Sequence, residues 1–229
     1  MREGSERGGP KAPCVLVHGG SISTDTWNRL TGRSDYPPGG NLGGRCWDGT
    51  VRFLASIGHR AFAPTLSDEH TTDLSGHIAQ VCTIITKNDL RGIILTGHSY
   101  GGMVITGVAA GVPERVRGLV YLDAALPDPG ESLFDLFAAA GCDPVAFAGL
   151  DAARAYVEKI RFDPGVVEPL PKTYVRCTKS EFLDLTRLAW ERAGAAPRGW
   201  TRLELPSSHV PMADLPDEWY RVLLDVVTR

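Results

Sequence analysis

The chain is 229 residues long, 43% of them hydrophobic and 22% charged. These values match the globular average and exclude a disordered chain; at this length one domain can bury about 70% of its unfolded surface. No run approaches the roughly 20 consecutive apolar residues of a membrane span. With 24 Lys+Arg against 27 Asp+Glu, a formal net charge of -3, no basic excess remains for nucleic acid or an anionic membrane.

Residues 1–13 are rich in glycine and charge and contain no apolar core. They do not read as a signal peptide, and we expect a disordered lead-in there. Five cysteines stand at 14, 46, 82, 142 and 177. An odd number without CxxC spacing suits reduced thiols and a cytoplasmic location better than a disulfide framework or a zinc site. Cys14, Cys82 and Cys177 lie in apolar segments and read as small core residues.

Cys14–Val17 is a short apolar run stopped by His18-Gly19-Gly20, a buried strand. Ser21–Arg45 reads as an irregular loop, far longer than the usual two to six residues between a strand and a helix. Trp47–Ile57 has apolar residues at 47, 51, 54 and 57, which is helical spacing, and Gly58 is its cap. Arg60–Ala63 is a second strand, closed by Pro64. Leu74, Ile78, Val81 and Ile85 mark a helix with Asp73 at its start. Gly92–Thr96 is a third strand. Met103–Ala110, small and apolar, is a helix that must pack closely. Leu119–Leu122 and Thr173–Cys177 are a fourth and a fifth strand. Glu181–Arg192 is a helix, Trp200–Leu205 a sixth strand, and Trp219–Val227 a closing helix.

Strands that are continuous apolar runs and alternate with helices predict a parallel sheet covered on both faces. Pro127–Pro171 breaks the alternation. It is rich in Pro, Gly and Ala, with helical patterns near Leu133–Ala140 and Asp151–Ile160. It reads as a small insertion, 128–171, in a core made of 14–127 and 172–229.

The segment Gly97-His98-Ser99-Tyr100-Gly101-Gly102 follows a strand and opens a helix. This is G-x-S-x-G in the context its chemistry requires: a tight strand-to-helix turn that lifts a serine hydroxyl above the sheet edge. The plain alternative is a glycine-rich turn with a solvated serine. A nucleophilic serine needs a base within reach. Of six histidines, His209 lies on a loop after the last strand and before the last helix, at the same sheet edge and in the chain order this arrangement uses. An oxyanion site needs backbone N–H groups just after the nucleophile and at the end of the first strand. Tyr100 and Gly20 are the candidates.

At Leu16-Val17-His18-Gly19-Gly20, Cys46-Trp47-Asp48, Gly58-His59-Arg60, Gly97–Gly102, Tyr121-Leu122-Asp123 and His209, the chain resembles the α/β-hydrolase superfamily. It looks most like small bacterial esterase-like members related to plant methylesterases and hydroxynitrile lyases. The resemblance implies a mostly parallel sheet of about six strands, helices on both faces and a small helical cap at the 128–171 insertion. The methylesterases keep the acid of their triad after the strand matching Thr173–Cys177. Here that place reads Thr178-Lys179-Ser180-Glu181, without an aspartate. The superfamily's other position, the end of the preceding strand, holds Asp123, which is preferred over Glu181 and Asp128. The loop Ser21–Arg45 is longer than in those relatives and should lie near the oxyanion site.

The expectation is therefore a serine hydrolase of a small to medium apolar carboxylic ester or lactone, with Ser99, His209 and Asp123 as its triad and no metal or organic cofactor. His18, Phe134 and Phe137 are the candidate substrate contacts, and a homodimer is compatible with the sequence. Fold alone does not fix chemistry. A hydroxynitrile-lyase-like enzyme, a ligand receptor and a non-hydrolytic biosynthetic protein are the alternatives.

Overall fold

The computed structural model describes residues 11–20, 22–147, 150–196 and 199–229. Most of the expected lead-in, 1–10, lies outside the described residues. Within that expected lead-in Ala12 is buried, and its carbonyl accepts a hydrogen bond from His59 Nδ1 at 2.8 Å.

Six strands form one sheet: β1 (Cys14–Val17), β2 (Ala61–Phe62), β3 (Ile93–His98), β4 (Val116–Leu122), β5 (Lys172–Cys177) and β6 (Trp200–Leu205). Their order is β2-β1-β3-β4-β5-β6, and every pairing is parallel. The second strand is shorter than its expected span. The third and fourth extend beyond theirs, to His98 and back to Val116.

Alternation along the strands divides the core into two layers. Val15, Val17, Ile93 and Leu95 face one side; Cys14, Leu16, Ile94 and Val120 face the other. On the first side pack α3 (Leu74–Lys87), α4 (Gly101–Gly111) and α8 (Leu183–Ala195). On the second pack α1 (Thr24–Thr31), α2 (Asp48–Ser56) and α10 (Pro216–Thr228), with Trp219 Nε1 donating to Thr50 Oγ1 at 3.1 Å. The α4 helix is buried almost all round. Its small residues matter: a Cβ on Gly107 would overlap Ile78 of α3.

The insertion carries α5 (Leu133–Ala139) and two single turns, α6 (Arg154–Val157) and α7 (Pro164–Val167). The expected helix over Asp151–Ile160 contracts to α6. It docks on the segment before α3 and on the start of α3 itself, where Ala155 N–H reaches Glu69 O and Ser75 Oγ donates to Glu158. The long loop also differs from expectation, since it contains α1. Ser23 caps that helix at one end and Gly32, at φ 65°, closes it in the left-handed region. Thr24 N–H to Gly40 O and Leu42 N–H to Ile22 O then tie the loop's two limbs together.

Candidate active site

The strand order reverses direction between β1 and β3. The loops leaving their C-terminal ends diverge there, which opens a crevice at the switch point. Val17 pairs with Gly97 and His98 with Leu122. The ends of β1, β3 and β4 are therefore neighbours, and His18-Gly19-Gly20, Ser99 and Asp123 emerge side by side.

Ser99 sits at φ 56° and Asp123 at φ 45°. Side chains rarely adopt this left-handed conformation, and it persists only where surrounding structure enforces it. At Ser99 the enforcement is visible: its N–H donates to Leu122 O at 3.3 Å, and its carbonyl accepts from Ala125 N–H at 3.0 Å. The glycines around it allow close backbone approach. A Cβ on Gly97 would lie 2.5 Å from Gly101 O, one on Gly101 2.6 Å from Val17 O, and one on Gly102 would overlap Ala125 O. The spacing of the motif is thus a packing requirement of the turn.

The Asp123 side chain is fully buried. One carboxylate oxygen accepts from Cys177 N–H at 2.8 Å and the other from His209 Nδ1 at 2.7 Å. With Nδ1 donating, Nε2 is the acceptor, the arrangement a general base requires. Ser180 Oγ stands 3.5 Å from the same Nδ1, and the Phe182 ring packs on His209 at 4.5 Å. Glu181, the alternative acid, is exposed, and the short side chain beside the imidazole is Ser180.

Ser99, His209, Gly20 and Tyr100 line one cavity together with Leu133, Phe137 and Phe182. The Ser99 and His209 side chains border this space with no hydrogen bond between them. Among the described residues neither Gly20 N–H nor Tyr100 N–H has a protein acceptor. The Tyr100 side chain turns away from the cavity, its hydroxyl donating to His77 Nδ1 at 3.0 Å while His77 Nε2–H donates to Ser67 O at 2.9 Å. Among the described residues no group of three or more His, Cys, Asp or Glu is placed to hold a metal ion.

The model of the alpha/beta hydrolase family matches residues 14–224. The chain belongs to that family. An esterase of Nocardioides sp. named for carbendazim hydrolysis is 46% identical over 103 residues, 41% of this chain and 42% of that one. The polyneuridine aldehyde esterase of Rauvolfia serpentina is 34% identical over 106 residues, 42% of this chain and 39% of that one. The matches thus span only about two fifths of these relatives' lengths. Among solved structures, a polyneuridine aldehyde esterase superposes with TM-score 0.69 at 17% identity, covering 94% of this chain and 99% of that one. An extracellular α/β-hydrolase from a Paenibacillus species gives 0.68 at 19%, covering 93% and 98%. At these identities the superpositions speak to fold.

In this alpha/beta hydrolase two expected substrate contacts are placed elsewhere. His18 Nε2 accepts from Leu66 N–H at 2.9 Å, and its Nδ1–H donates to Gly19 O at 2.7 Å. With both nitrogens committed, the ring ties β1 to the segment after β2 and borders a separate polar groove. Phe134 packs against the core without lining the Ser99 cavity, because α5 turns Leu133, Leu136 and Phe137 inward at helical spacing and leaves position 134 to the side. Phe137 does line it. The sequence reading missed Phe182 and Ser180. Their only signal is position, just beyond the end of β5.

Proposed function

We propose that the chain is a serine hydrolase of a small apolar carboxylic ester or lactone. The observation that carries this reading is the 2.7 Å bond between His209 and Asp123 beside a serine held at φ 56° in the same cavity. Ser99 Oγ attacks the carbonyl while His209 Nε2 takes its proton. The N–H groups of Gly20 and Tyr100 stabilise the oxyanion. His209 then gives its proton to the leaving alkoxide, and water, activated by the same imidazole, releases the acid. Asp123 holds the ring and its tautomer throughout. The relatives named as a carbendazim-hydrolysing esterase, a pyrethroid hydrolase and a polyneuridine aldehyde esterase support ester cleavage as the reaction class.

The substrate class follows from the walls. Leu133, Phe137, Leu150, Phe182 and Leu185 present apolar surface to Ser99. The space they leave is small, about 30 Å³. A small apolar acyl group suits it, and anything larger requires side chains of α5 or α8 to move. The test is intact-mass spectrometry after a fluorophosphonate, with Ser99→Ala beside the parent. We expect one adduct on the parent and none on the variant, together with loss of ester turnover. An unlabelled, folded parent, or a variant that still turns over ester, would remove Ser99 from the chemistry.

A further inference from the structure

We propose that His98, the residue before the nucleophile, is a positioning residue for His209 and acts by donating from Nε2–H to the His209 main-chain carbonyl; this rests on the hydrolase reading above. The contact is 2.7 Å long and buried, and links residues 111 apart in sequence. A carbonyl only accepts, so Nε2 carries the proton. The other nitrogen, Nδ1, is buried and has no hydrogen-bond partner among the described residues. The ring stands edge-on to Trp47 and 4.5 Å from the His209 ring. A second proton would have no acceptor there. Burial, with His209 and His18 adding to it, holds the imidazole well below its ordinary value of 6.5. His98 is therefore a fixed single donor.

That donor completes a two-point mount. Asp123, at the end of β4, holds the His209 side chain by Nδ1, and His98, at the end of β3, holds its backbone. Other bonds of the loop, among them Ser208 N–H to Asp214 and Lys179 N–H to Ser207 O, tie it to α9 (Pro211–Asp214) and to the segment after β5. Neither reaches the turn that carries Ser99. With Asp123, His98 thus sets the base against the nucleophile turn, where a misplacement of about 1 Å costs on the order of 100-fold in rate.

The experiment compares His98→Leu with His98→Gln in ester turnover and in the rate of fluorophosphonate labelling of Ser99. We expect His98→Leu to lose about 100-fold in kcat at nearly unchanged KM, with labelling slowed in parallel, and His98→Gln, which keeps an amide donor, to recover most of the loss. A folded His98→Leu protein within about threefold of the parent, or a His98→Gln variant no better than it, would overturn the proposal. Should neither variant fold, ¹⁵N NMR of histidine-labelled parent decides: Nε2 of His98 should be protonated and Nδ1 bare at neutral pH, and the opposite tautomer would refute the donor. A parent that neither labels nor turns over ester sinks the hydrolase reading alone, since the NMR result still tests the contact.

Discussion

Asp123 emerges from the end of a strand that is otherwise apolar, and a carboxylate in such a place needs partners for both oxygens. It has them in His209 and the Cys177 amide. Asp123→Asn should therefore lower kcat on the order of 10⁴-fold, because the amide can stabilise the wrong imidazole tautomer. Glu181→Gln, on an exposed side chain, should leave kcat near the parent value. Steady-state kinetics on the two variants checks this, and the reverse ranking would move the acid. The glycine turn yields a second prediction at this scale. In Gly102→Ala the gain in helix propensity is about 1 kcal/mol, but the new methyl would overlap Ala125 O. Overpacking at a backbone contact costs about 1–3 kcal/mol, so the overlap should win. Thermal unfolding of the variant should show a lower Tm.

At the scale of elements, α5 forms one wall of the cavity. Ser132 and Asp135 make a capping box that fixes its start, and that start directs Leu133, Leu136 and Phe137 inward. Phe137 is 1% exposed, and Phe137→Ala should cost about 3–5 kcal/mol in stability. The same truncation should enlarge the acyl space, so that kcat/KM for longer acyl chains rises relative to acetate. A p-nitrophenyl ester series, with urea unfolding for stability, reads both effects. An unchanged chain-length profile would take α5 out of substrate selection. The contacts that dock α6 are polar and largely exposed, such as His70 with Asp151 at 2.9 Å and Ser75 with Glu158. Exposed pairs of this kind contribute little each. The turn is held more by the buried Ala155 and Tyr156.

Across the whole molecule the buried histidines set an acid limit on stability. Burial lowers the folded pKa of His18, His77 and His98 below 6.5. The unfolded chain binds more protons than the folded one once the pH drops through 6.5. Their contribution is full above that value and is lost as the pH falls through the folded values. His70 works in the opposite sense, since Asp151 raises it, but this pair is exposed and its effect small. Tm should therefore decline between pH 7 and 5, with little change from 7 to 8. A Tm series across these pH values checks the sign.

Buried strands must be continuous apolar runs, and on that ground the sequence carried the strands of the parallel sheet. It also marked Ser99 as the residue on a strained turn, because that turn leaves room only for glycine at positions 97 and 101. It pointed to His209 through chain order and to Asp123 through the cost of ending an apolar strand in a carboxylate. It did not yield α1: the loop reads as irregular by its length, although a Ser23 cap and a Gly32 stop bound that helix. What each side chain faces rested on tertiary contacts. His18 and His98 end adjacent strands and look alike in sequence; one bridges two loops and the other reaches the His209 carbonyl. Phe134 and Phe137 sit three residues apart on one short helix, and only the second meets the cavity. Such choices depend on contacts between residues far apart in the chain, and a periodicity of two or 3.6 carries no information about them.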